Sequence, residues 1–334
     1  MMRFLRWAIA ILVALVVIVV LAFRLSPWPS VAIIEYAFSK GDAASEARLA
    51  KHVPPGVTSR LDISYGSGFD ERLDVYRMEG VTGPQRAVVW VHGGGWIGGS
   101  KAGVANYAKV IAGHGYTTIT VEYSTGFGSV YPKPVEQVNA ALGYISTHAA
   151  ELNIDPSVLV LAGDSAGSQL SAQVAILTTD PAYAAKLGIA PLLRADQLAG
   201  VVLASGAYDL ESINLDGDFG WFLRTVLWAY SGSRDFMADP RFRLLSVTEH
   251  VTAAFPPAFI TSGNGDPLVP QAVRFAEVLS GLGGEADTLF FPAERTPPLG
   301  HEYQFNLDDP AGAEAMDRML AFLGKVFAPR PAMP

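Results

Sequence analysis

The chain has no cysteine among its 334 residues. That absence excludes disulfide bonds, thiolate metal sites and a cysteine nucleophile, while leaving the compartment open. Basic charge is also scarce. The 24 Lys and Arg face 32 Asp and Glu, for a net charge of −8, and no basic cluster occurs beyond the amino terminus. The sequence therefore carries no electrostatic footprint for nucleic acid. Internal repeats and low-complexity tracts are missing too, so neither a repeat array nor a biased segment organises it.

What the chain has in abundance is apolar residues, and one stretch concentrates them. Trp7 to Phe23 is an unbroken apolar run of 17 residues, preceded by Arg3 and Arg6 and followed by Arg24. As a helix it spans roughly 25 Å, at the short end for a bilayer. Val20-Leu21-Ala22 offers small residues near a signal-peptidase site, so a cleaved signal sequence is the competing reading. The run is slightly long for that, and an uncleaved anchor in a lipid bilayer is favoured. Two arginines before the run against one after it keep the amino terminus inside and put the rest of the chain on the exoplasmic or periplasmic side. Secretion after cleavage is the alternative.

Residues 1–24 are thus expected to form an anchor or signal sequence, and residues 25–58 a linker with an amphipathic helix near 31–51. Residues 59–330 have the look of one α/β domain. Residues 61–65 and 73–77 alternate apolar and polar around a glycine-rich turn, which predicts an antiparallel hairpin at a sheet edge. From residue 86 onward, apolar strands near 87–91, 117–121, 158–162, 201–204, 258–261 and 288–291 alternate with helices near 107–112, 135–152, 169–177, 271–282 and 313–327. That rhythm predicts a mostly parallel sheet with helices on both faces. It breaks between residues 206 and 252, where Trp221, Phe222 and Trp228 sit. An insertion there would overhang a site at the carboxyl ends of the strands. A surface helix packing its aromatic side onto the domain explains the same residues.

The chemistry centres on Gly163-Asp-Ser165-Ala-Gly167, which stands between a buried strand and a helix. Strand, Gly-x-Ser-x-Gly and helix describe a nucleophile elbow. A serine hydroxyl needs a base, an orienting acid and an oxyanion hole. In such folds the chain order is Ser, then Asp or Glu, then His. Of six histidines, only His250 and His301 follow Ser165, and His250 comes too early. His301 is left as the base. Asp266, just past the strand near 258–261, is the expected acid, with Asp287 and Glu294 as weaker alternatives. His92-Gly93-Gly94-Gly95-Trp96 follows another strand directly, and its glycines let backbone amides approach a ligand. Gly94, Gly95 and Ala166 are the expected oxyanion donors. Trp96, Trp221 and Phe222 are candidate substrate contacts.

His92-Gly-Gly-Gly95, Gly163-Asp-Ser-Ala-Gly167, Asp266-Pro-Leu and Gly300-His301 together resemble the hormone-sensitive-lipase-like and BD-FAE-like carboxylesterases of the α/β-hydrolase superfamily. The resemblance runs from about residue 61 to 327 and includes Gly98-Gly-Ser-Lys101 and Tyr131-Pro132. It implies an α/β-hydrolase fold and a serine esterase without metal or cofactor, using Ser165, Asp266 and His301 on a small ester. Two positions depart from the pattern. Ser168 stands where a second glycine is frequent, and Val269-Pro270 replaces acidic residues common in lipase-like members. The second departure points to the BD-FAE-like side and to small, short-acyl esters. An amidase or peptidase would share the triad, and a catalytically silent membrane-anchored binding protein is the non-enzymatic alternative.

Overall fold

The computed structural model describes residues 2–217 and 219–328. Met1 in the expected anchor, Asp218 in the expected insertion, and residues 329 and 330 at the end of the expected domain lie outside the described residues.

Helix α1 (Met2–Leu25) buries none of its side chains. Among the described residues it is the one helix long and apolar enough to cross a membrane. Pro27 and Pro29 then bracket the start of α2 (Trp28–Leu49), where proline is tolerated because the first amides have no intrahelical acceptor. One face of α2 buries Val31, Ile34 and Leu49. Its Glu46 carboxylate accepts the Asn106 amide at 3.0 Å. Asn106 lies in the first turn of α3 (Ala105–Gly113), where the helix dipole favours an anion. These contacts tie α2 to the domain.

Eight strands form one sheet: β1 (Val57–Ser64), β2 (Arg72–Met78), β3 (Gln85–Val91), β4 (Thr117–Val121), β5 (Ile154–Asp164), β6 (Leu198–Ala204), β7 (Ala258–Ser262) and β8 (Ala286–Phe290). Their order is β1-β2-β4-β3-β5-β6-β7-β8. β1 and β2 form the expected edge hairpin, and β2 also runs antiparallel to β4. The remaining neighbours are parallel. The other helices are α4 (Lys133–Thr147), α5 (Ala149–Leu152), α6 (Ser165–Thr179), α7 (Pro181–Leu187), α8 (Gly220–Ser231), α9 (Val269–Gly281) and α10 (Pro310–Val326).

Strand side chains alternate between faces, and the core divides accordingly. Val89, Val91, Leu159 and Leu161 pack with α4, α6 and α9 on one side. Val88, Trp90, Val160 and Ala162 pack with α3 and α10 on the other. Covered on both faces, residues 87–91 of β3, 158–162 of β5 and 198–204 of β6 are apolar throughout. This is the α/β-hydrolase fold.

Three local outcomes differ from the sequence expectation. The helix expected over 135–152 is two helices, because the Thr147 hydroxyl turns back to the carbonyls of Gly143 and Tyr144 and the chain breaks at His148. β5 begins at Ile154, four residues before its apolar run, through pairing with Gln85. α7 was not anticipated, though its signals are present: Asp180 accepts the Ala182 amide at 2.8 Å, proline follows, and Gly188 ends the helix in the left-handed region.

Candidate active site

Parallel strands deliver their carboxyl ends to one edge of the sheet, so the segments after β3, β5, β6, β7 and β8 converge there. β5 passes into α6 with no intervening loop. The reversal forces Ser165 to φ +49°, a left-handed conformation rare for a residue with a side chain. The turn closes tightly. A Cβ on Gly163 would lie 2.5 Å from the Gly167 backbone, and one on Gly167 would run into the Val91 and His92 carbonyl oxygens. Glycine is required at both positions. Residues Ala166 to Thr178 of α6 are all buried, which makes a rigid base for the serine.

His301 Nε2 lies 2.9 Å from Ser165 Oγ, and His301 Nδ1 lies 3.0 Å from Asp266 Oδ2. With Nδ1 donating to the carboxylate, Nε2 is free to accept the serine proton. The loops that carry the two residues are knitted together: Leu299 N donates to Asn264 Oδ1 at 2.9 Å and Gly265 N to the Leu299 carbonyl at 2.8 Å. Asp266 also accepts from Ser262 Oγ and from the Leu268 amide. Burial raises the Asp266 pKa, but these hydrogen bonds and the His301 charge outweigh it and hold the carboxyl below its ordinary value. Burial likewise disfavours charge on His301. The hydrogen bond to Asp266 and the carboxylates of Glu302 and Asp266 overcome that and raise the imidazole pKa to about 9.

After β3 the chain turns through Gly94 at φ +111° and Gly95 at φ +60°. A Cβ on Gly94 would strike the Gly98 carbonyl. Side chains from neighbouring strands pin this loop. Asp164 Oδ2 accepts the Gly93 amide at 2.8 Å, and Tyr123 donates its hydroxyl proton to the His92 carbonyl at 2.8 Å. Lys101 Nζ meets Asp74 Oδ1, also at 2.8 Å. Among the described residues the amides of Gly94 and Gly95 have no hydrogen-bond acceptor. They line a cavity of about 1100 Å³ with Ser165 and Ala166. As the second residue of α6, Ala166 also has an amide without an intrahelical partner. Gly94, Gly95 and Ala166, the three expected oxyanion donors, thus line the same cavity as the Ser165 hydroxyl.

The cavity wall includes side chains the sequence reading did not select. α2 contributes Phe38, Asp42, Ser45 and Arg48, and α8 contributes Phe222, Leu223 and Val226. Phe222 is one of the expected substrate contacts. Trp221 is not on the wall: adjacent helical residues point about 100° apart, and its side chain faces solvent at 56 % exposure. Trp96 touches the cavity but is buried, with its indole stacked on Tyr230 and its Nε1 donating to Gln169. Its contacts anchor the glycine loop. Trp90, Asp164 and Glu302 were likewise passed over. Asp164 accepts from Trp90 Nε1 at 2.7 Å as well as from Gly93, inside the motif already singled out. Ser168, which stands where the resembled family often has a glycine, shares a hydrogen bond of 2.7 Å with the Tyr208 hydroxyl.

Comparison with known proteins places the chain among esterases. Carboxylesterase NlhH of Mycobacterium tuberculosis is 29 % identical over 305 residues, covering 87 % of this chain and 91 % of the relative. An acetyl esterase of Salmonella paratyphi B is 24 % identical over 92 % of both chains. Esterase B from Lactobacillus rhamnosis superposes with a TM-score of 0.75 at 21 % identity, over 88 % of this chain and 94 % of that one, and shares the fold. The BD-FAE family model matches residues 73–279. That match takes in more than half of the chain, including the glycine loop, the elbow and Asp266, and the protein belongs to the BD-FAE family.

Proposed function

We propose that this protein is a serine carboxylesterase that cleaves small, short-acyl esters through an acyl-enzyme. As a carboxylic ester hydrolase, it uses Ser165 as nucleophile, His301 as base and then acid, and Asp266 to orient the imidazole. The observation that carries the reading is the continuous relay of 3.0 Å from Asp266 to His301 and 2.9 Å from His301 to Ser165. Ser165 Oγ attacks the ester carbonyl while His301 Nε2 takes its proton. The carbonyl oxygen becomes an oxyanion held by the amides of Gly94, Gly95 and Ala166. Collapse returns the proton to the leaving alkoxide. Water, activated by the same imidazole, then frees the acid.

Short acyl groups are favoured by bulk beside the glycine loop. A Cβ on Gly95 would lie 3.3 Å from Val226 and 3.4 Å from the tip of Phe222, so little room remains there. The acetyl esterase among the relatives fits that preference. α1 anchors the enzyme in a membrane, with the hydrolase on the exoplasmic or periplasmic side. A panel of p-nitrophenyl esters from acetyl to long-chain acyl tests the reading, with Ser165→Ala as control and fluorophosphonate labelling in parallel. Hydrolysis and labelling that depend on Ser165 are expected. Turnover of anilides in preference to esters would make it an amidase, and no labelling of folded protein would make it a binding protein.

A further inference from the structure

Glu302 follows His301 in the chain, and the backbone holds it in an unusual way. Its φ is +57°, in the left-handed region. Its amide donates to Ser205 Oγ at 3.2 Å, and Ser205, itself at φ +51°, is fully buried at the end of β6. A residue with a side chain takes this conformation at an energetic cost, so it persists where surrounding structure enforces it. The result is to turn the carboxylate back along the imidazole. Glu302 Oε1 lies 3.8 Å from His301 Nε2, the nitrogen that faces Ser165 Oγ. The same oxygen would lie 2.8 Å from a Cβ on Gly93, so it sits between the imidazole and the glycine loop.

The groups around this carboxylate are Asp164 at the end of β5, Asp42 from α2, Tyr123 after β4, and His301. The His92 ring acts electrostatically on Asp42 in turn. Among the described residues no Lys or Arg pairs with Glu302. Asp164 is buried, whereas the Glu302 side chain is 30 % exposed. Two neighbouring carboxylates resist double ionisation, and burial adds to the cost of charge on the more buried one. Burial and the Glu302 charge both push Asp164 well above the ordinary carboxyl range.

We propose that Glu302 is a positioning residue for the esterase reaction, a second carboxylate at the Nε2 side of His301 that stabilises the imidazolium formed when Ser165 gives up its proton. Asp266 serves Nδ1, and Glu302 serves the opposite nitrogen. This role rests on the esterase reading and follows from charge rather than shape. Below the acid limb of kcat/KM, both the free enzyme and the transition state hold an imidazolium, so the Glu302 charge cancels out of the rate. Above that limb only the transition state holds one, and the charge accelerates the reaction.

The test is the pH profile of kcat/KM for p-nitrophenyl acetate, measured on the full chain in detergent. Glu302→Gln should move the acid limb down by about half a unit to one unit and lower the plateau by about three- to tenfold. At low pH the two profiles should superimpose. Glu302→Asp, which keeps the charge, should move the limb less. A limb that stays in place in Glu302→Gln, with activity lowered equally at every pH, would show a merely structural role and overturn the proposal. Histidine NMR titration of the same variants reads the His301 ionisation without turnover, and an unmoved midpoint overturns it equally. Absence of Ser165-dependent ester turnover in the unaltered chain would instead remove the esterase reading.

Discussion

Phe38 and Phe222 meet edge to face with ring centroids 6.0 Å apart. One comes from α2, directly after the membrane-length helix, and the other from α8, and both line the cavity that holds Ser165. The amino-terminal region therefore supplies part of the wall of the candidate site as well as a helix, α1, long and apolar enough to cross a membrane.

Truncation should separate these two roles. Removing residues 1–26 takes away α1 and leaves α2 intact, so a soluble and active enzyme is expected. Removing residues 1–49 strips Phe38, Asp42 and Arg48 from the cavity and uncovers the partners of Val31, Ile34 and Leu49. That form should lose activity and fold poorly. Ester turnover and thermal unfolding of both forms check this. Full activity in the shorter form would mean that α2 is dispensable.

The relay predicts a steep dependence on each member. Ser165→Ala and His301→Ala should each lower kcat by several orders of magnitude, and Asp266→Asn by somewhat less. The double variant Ser165→Ala/His301→Ala should be little worse than either single one, because the two residues act as a unit. Circular dichroism should show each variant folded. Activity of Ser165→Ala near that of the unaltered protein would rule the mechanism out.

The pH dependence follows from the raised imidazole pKa. An unperturbed histidine titrates near 6.5, whereas the carboxylates around His301 hold its proton up to about 9. Only the neutral ring accepts the serine proton, so kcat/KM should fall as pH drops through a limb displaced above 6.5 toward that value. Sequence alone supplied the ordinary value; the surrounding carboxylates move it upward. A limb at or below 6.5 would show that these charges do not reach the ring.

Phe222 and Trp221 are chain neighbours with opposite expected effects. Phe222→Ala opens the wall beside Gly95, so it should extend turnover to longer acyl chains and change KM more than kcat. Trp221→Ala alters a side chain that faces solvent and should leave both constants within about twofold, since exposed substitutions shift free energies by roughly 0.5 kcal/mol or less. Kinetics across the acyl series distinguish the two. A larger effect at Trp221 would relocate the substrate path.

The elbow predicts a stability effect as well as a catalytic one. Gly167→Ala sets a methyl against the carbonyl oxygens of Val91 and His92, backbone atoms where β3 passes into the glycine loop. Neither can step aside, so a loss of about 3 kcal/mol or more is expected, at the severe end for a single substitution. Denaturant unfolding measures it, and a neutral result would mean that the loop moves freely against α6.

Much of this protein was legible in its sequence because the relevant signals are local. Unbroken apolar runs such as residues 87–91 mark strands covered on both faces, and the same logic marks α1. Glycine at 163 and 167 is dictated by the backbone of one turn, and the chain order of Ser165, Asp266 and His301 narrowed the candidates before any coordinates. What only the tertiary structure decided depends on residues distant in sequence. α2 carries no motif, yet it lines the cavity because its Val31 and Ile34 pack against the core. Trp221 and Phe222 look alike as letters, and helix phase alone turns one to solvent and the other to the site. The His301 pKa is set by the buried Asp266 and by Glu302, and only the fold brings these carboxylates to the ring.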